Sequence, residues 1–96
     1  MNLRWTAEAE DSLLSTVAWL LQYSTAAAVR FEEQLFDKID GILTQPGRYP
    51  LDNQKEDKSG TARFFLVGQY RISYEVLPEE IVITRIRHIK QSPQSY

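Results

Sequence analysis

The chain has 96 residues, 43% hydrophobic and 25% charged, which fits one ordinary globular domain over 1–96 and excludes fibrous and disordered classes. Thirteen acidic and eleven basic side chains give a net charge of −2, and no apolar run approaches the roughly 18–20 residues needed to cross a bilayer. With no cysteine and one histidine, disulfides, thiolate metal sites, Cys nucleophiles and His-rich centres are excluded, so neither a metal nor a cofactor is expected.

The N-terminus, Met1-Asn2-Leu3-Arg4-Trp5, lacks the basic-then-apolar pattern of a secretory signal, so a cytoplasmic protein without a membrane partner is expected. Leu3-Arg4-Trp5 reads as a short first strand. Thr6 is a good helix N-cap, followed by Glu8, Glu10 and Asp11 where carboxylates suit the positive end of a helix. Leu13, Leu14, Val17, Ala18, Leu20 and Leu21 recur at helical spacing, and that helix should end near Tyr23-Ser24. Ser24 or Thr25 opens a second helix with Ala28, Phe31, Leu35, Ile39 and Ile42 on one stripe and Glu32, Glu33, Asp37, Lys38 and Asp40 on its other face. Two such helices joined by a tight turn form a helical hairpin.

Pro46-Gly47 ends the second helix, and the polar stretch 45–60 reads as a surface loop, mobile over 51–59. Beyond Gly60 the apolar period changes from 3.6 to 2. Runs at 62–67, 70–77 and 81–88, joined by Gly68-Gln69 and Pro78-Glu79-Glu80, predict an antiparallel meander. The order β-α-α-β-β-β predicts an α+β two-layer sandwich, a helical hairpin packed on a small antiparallel sheet.

Strand alternation assigns faces. Tyr70, Ile72, Tyr74 and Val76 form a core side of the second meander strand, leaving Arg71, Ser73 and Glu75 opposite. In the last strand Val82, Thr84, Ile86 and His88 alternate with Ile81, Ile83, Arg85 and Arg87. Arginines rarely face a core unpaired, so Arg85 and Arg87 should join Arg71 on an open face, with Arg63 a further candidate. Charge is correspondingly divided: residues 1–60 carry six basic and ten acidic side chains, a net of −4, and 61–96 carry five and three, a net of +2. Two readings of the arginines stand side by side. They pair with Glu75 and with helix or loop acids, or they present a basic face suited to bidentate anion contacts. The strand aromatics Phe64, Phe65, Tyr70 and Tyr74 fit core packing better than base stacking. His88 has the intrinsic acidity for proton transfer near neutrality, yet strand parity places it opposite Arg85 and Arg87. There is no Gly-rich phosphate loop, metal-ligand spacing or nucleophile elbow.

Leu3-Arg4-Trp5-Thr6-Ala7-Glu8-Ala9, the helical hairpin, Tyr70-Arg71-Ile72-Ser73-Tyr74-Glu75-Val76 and Ile81-Val82-Ile83-Thr84-Arg85-Ile86-Arg87-His88 together resemble the RelE/ParE superfamily, the toxins of bacterial type II toxin–antitoxin systems, often described as plasmid stabilisation proteins. The resemblance runs through nearly the whole chain in order and length. It implies a cognate antitoxin that wraps the toxin and docks on the helical hairpin and sheet edge, where Leu14, Ala18, Leu21, Phe31 and Leu35 are the candidate contacts.

Two activities divide the superfamily. ParE-like members poison DNA gyrase without chemistry of their own; RelE-like members bind the ribosome and cut mRNA. The long apolar hairpin and the lone histidine closing the last strand are similar to the ParE-like branch, although Ile89-Lys90-Gln91-Ser92-Pro93 departs from its usual paired basic ending. This branch implies a non-catalytic protein whose target surface includes Arg71, Arg85, Arg87, His88 and Lys90. The alternative, an mRNA endonuclease, would use His88 and Arg71 with Tyr74 assisting. A third reading is a degenerate member that binds antitoxin without being toxic.

Overall fold

The computed structural model describes residues 1–54 and 61–90. Its elements follow the order β1 (Asn2–Trp5), α1 (Ala7–Tyr23), α2 (Thr25–Thr44), β2 (Ala62–Val67), β3 (Tyr70–Val76) and β4 (Glu80–His88). Thr6 caps α1 through its side-chain oxygen, which accepts from Ala9 N at 3.1 Å. Ser24 acts at two helix ends: its backbone N–H closes α1 on Leu20 O at 2.9 Å, and its hydroxyl accepts from Ala27 N at 3.1 Å to open α2. One residue in extended conformation therefore makes the hairpin turn. Between β2 and β3 the chain reverses at Gly68-Gln69, where Gly68 has φ +56°, a conformation that a two-residue hairpin loop requires and glycine adopts without strain.

The strands form one sheet in the order β1-β4-β3-β2. The meander β2-β3-β4 is antiparallel, as expected, but β1 lies parallel to β4, with Asn2 opposite Glu80 and Trp5 opposite Ile83. The sheet is thus mixed rather than antiparallel throughout. Parallel neighbours need a long connection between them, and the whole chain from α1 to β3 supplies it. Arg4 secures this edge through Glu80 at 2.9 Å.

A bulge corrects the simple alternation of β4. Ser73 pairs with Arg85 but Tyr74 with Ile83, so Thr84 falls between successive pairs. Its hydroxyl donates to Ser73 O and its carbonyl accepts from the Thr6 hydroxyl, both at 3.2 Å. The extra residue lets Ile81, Ile83 and Ile86 all face the helices, whereas strict alternation would put Ile81 and Ile83 with the arginines. The core beneath the helices joins Phe31, Leu35, Ile39 and Ile42 of α2 to Phe65, Ile72, Tyr74, Ile81, Ile83 and Ile86. Phe31 and Leu35, expected among the antitoxin contacts, are therefore buried core residues, because the sheet covers the α2 stripe that carries them. The α2 stripe, with steps of three and four, is the face turned to the sheet.

Residues 55–59 of the predicted mobile loop lie outside the described residues. Residues 51–54 are held against the sheet: Leu51 bridges to Arg63, Asp52 N donates to Ala62 O at 2.9 Å, and Phe64 N donates to Pro50 O at 3.1 Å. Arg63 lies opposite Tyr74, on the helix side of β2, and its guanidinium donates to Tyr49 O. It does not join Arg71 on the opposite face, because β2 enters the sheet in the other phase.

Candidate functional site

Both helices cover one face of the sheet, and Arg71, Arg85 and Arg87 stand on the other. Arg71 lies directly opposite Arg87, and Arg85 opposite Ser73. Like charges directly opposed on adjacent strands repel, so this face requires a nearby anion or polar acceptors. The strap 51–54 supplies both. Arg71 donates to the Asp52 carboxylate at 2.8 Å and to the Asn53 side-chain oxygen at 2.9 Å, while Arg85 donates to the Gln54 side-chain oxygen at 2.6 Å. The guanidinium of Arg71 also lies over the Phe64 ring, 3.6 Å from its centroid, a cation–π contact sheltered from water. The Asp52 side chain is wholly inaccessible and that of Arg71 is only 16% exposed. Arg71 and Arg85 thus share one face as expected, but they are occupied by a loop acid and its neighbours, with Arg85 buried and Arg71 partly so. For Arg71, pairing with a loop acid is the observed arrangement.

At the end of β4 the chain is more accessible. Arg87 and His88 are half-buried and Lys90 is exposed. His88 lies opposite Tyr70, its ring meeting the Tyr70 ring edge-on at 5.1 Å, and its Nδ1 accepts from Lys90 N at 3.0 Å. Tyr70 is on the helix side of β3, and burial raises its phenol above the ordinary value. His88 consequently lines a cleft of about 730 Å³ between sheet and α1, bounded by Glu8, Asp11, Trp19 and Tyr70. A neighbouring cleft of about 530 Å³ brings in Arg30 and Gln34 of α2.

These positions separate the three residues that nuclease chemistry would need together. His88 opens into the cleft and Arg71 is on the far face. Tyr74 is sealed in the core, where its hydroxyl donates to Pro46 O at 2.8 Å and burial pushes its ionisation up to about 12. Among the described residues there is no cluster of acidic or histidine side chains able to hold a metal ion, and none of the helices is long and apolar enough to cross a membrane.

The outer face of α1 carries Leu14, Ala18 and Leu21, all exposed, at steps of four and three that place them on one stripe. The apolar pattern of α1 thus divides: Leu13, Val17 and Leu20 pack on the core, while Leu14 is 69% exposed. Sequence patterning missed Trp19, 52% exposed and in edge contact with the Tyr23 ring at 5.1 Å; a Trp four residues before a Tyr, which puts the two rings on one side of a helix, was the available signal. It also missed Asp52, Asn53 and Gln54. Three consecutive oxygen-bearing side chains just before a charged run were the only hint.

No curated protein sequence matches the chain. In three dimensions it is similar to a solved structure of the chromosomal ParDE toxin–antitoxin system from P. aeruginosa, with a TM-score of 0.69 and 15% identity over 94% of this chain and 97% of that one. That likeness speaks for the fold alone, two helices on a four-stranded sheet. A family model described as the ParE toxin of type II toxin-antitoxin system, parDE, matches residues 3–93. With nearly its entire length matched in sequence and its architecture matched in space, the chain belongs to the ParE toxin family of type II toxin–antitoxin systems.

Proposed function

We propose that this protein is a toxin that acts by binding, is neutralised by a cognate antitoxin, and poisons DNA gyrase without chemistry of its own. The observation that carries the non-catalytic part is the separation of His88, Arg71 and Tyr74 into cleft, strapped face and core. General acid–base catalysis needs its groups within hydrogen-bond reach of one substrate, and these three open to different environments.

The target surface is the end of β4, where Arg87, His88 and Lys90 are accessible. Arg71 and Arg85 belong to the same charged region but lie behind the strap. The antitoxin surface is the exposed stripe Leu14, Ala18 and Leu21, an apolar row that suits an amphipathic partner segment. The hetero-oligomer with antitoxin would cover it in the cytoplasm.

Inducing the protein in a bacterium without its antitoxin tests the toxic role. Growth should stop with a DNA-damage response while bulk translation continues. Unhindered growth, or immediate cessation of protein synthesis with cut mRNA, would contradict it.

A further inference from the structure

The sheet face away from the helices is unusual in that its arginines are already liganded from within the chain. Asp52, Asn53 and Gln54 present three successive side-chain oxygens to Arg71 and Arg85. The same segment pairs its backbone with the outer edge of β2 through Asp52 N to Ala62 O and Phe64 N to Pro50 O. An extended acidic segment added to a sheet edge, with side chains reaching arginines on one face, is how a peptide partner docks by strand addition. The strap performs that docking in cis.

We propose that Arg71 and Arg85, with the β2 edge, form a docking site for an acidic, extended peptide segment of a partner, and that Asp52-Asn53-Gln54 is the intramolecular occupant such a partner displaces. The site accepts more than the strap provides. Arg71 Nε is buried with no hydrogen-bond partner among the described residues, so a ligand offering one more acceptor gains a contact that the strap leaves unmade. Tethering gives the strap an effective concentration of order millimolar, which excludes weak ligands and admits those with better complementarity. The net charge of −2 works against long-range capture of a nucleic-acid backbone, and the existing occupant is a carboxylate with amide oxygens, so a peptide is the fitting class. Arg71 stands directly opposite Arg87 of the β4 end, but the test requires neither gyrase nor antitoxin.

The probe is a fluorescently labelled, amidated peptide with the sequence of residues 48–54, Arg-Tyr-Pro-Leu-Asp-Asn-Gln, titrated against the full chain. Asp52→Asn in the protein withdraws the strap's carboxylate while keeping its shape. This variant should bind the peptide at least tenfold more tightly than the unaltered protein. Replacing the peptide's own Asp by Asn should weaken that binding at least tenfold, and Arg71→Gln added to the variant should abolish it. Equal binding by both proteins, indifference to the peptide's Asp, or tighter binding of a deoxythymidine decamer than of the peptide would overturn the proposal. Amide exchange in the unaltered protein gives an answer even where the variant misfolds. The Asp52 and Phe64 amides should exchange at least tenfold faster than those of the β3–β4 pairing, and exchange at the core rate would show a strap that is never displaced.

Discussion

Asp52 and Tyr74 show how single side chains set the chemistry of this molecule. A wholly buried carboxylate is tolerated because Arg71 meets it at 2.8 Å, and the repulsion between Arg71 and Arg87 is relieved by the same group. Breaking a buried pair by removing one partner leaves a stranded charge, so Asp52→Ala should lower the unfolding free energy in urea by about 3 kcal/mol. Tyr74 has the opposite character: its hydroxyl stays neutral, held on Pro46 O, with its ionisation raised from 10 to about 12 by burial. A folded-state value above the unfolded one means stability that is complete below about pH 10 and lost as pH rises toward 12. The decline from this group should approach about 1.4 kcal/mol per pH unit. Denaturation of Tyr74→Phe across that window should show a shallower alkaline decline, even though the variant starts less stable for want of the hydrogen bond.

At the scale of elements, the two helices differ in what they give to the core. Every step of the α2 stripe is buried, so Leu35→Ala should cost about 2–5 kcal/mol. Leu14→Ala on the outer face of α1 should change stability by less than about 0.5 kcal/mol, and its effect should appear instead as weakened antitoxin binding in a titration. The element order, both caps and the hairpin turns were legible in the sequence, because Thr6, Ser24, Pro46 and Gly68 act through local backbone chemistry. Three features were not. The parallel pairing of β1 with β4 depends on how distant strands meet. The bulge at Thr84 hides in a run where either phase of alternation offers apolar residues. The burial of Phe31 and Leu35, as against the exposure of Leu14 and Leu21, follows from which side of each amphipathic helix the sheet occupies, and two adjacent apolar stripes on α1 do not announce that. The arginine face was legible as a face, and pairing with loop acids as one of its two readings, but the identity of Asp52, Asn53 and Gln54 as its occupants was not, since the strap comes from a stretch without periodicity.

For the whole molecule, charge and shape are distributed rather than uniform. The helical half is acidic, the meander half basic, and the sheet carries its helices on one side and a liganded arginine face on the other. The surfaces proposed for the antitoxin, on α1, and for the target, at the end of β4, are different ones, and the toxic role proposed for the second is binding to gyrase. Supercoiling of relaxed plasmid by purified gyrase, with increasing amounts of the protein, puts that role to the test. Supercoiling should be lost as cleaved DNA accumulates, and the Arg87→Ala, Lys90→Ala double variant should be at least tenfold weaker with unchanged thermal stability. Supercoiling that proceeds at full rate in the presence of excess folded protein would rule gyrase out as the target.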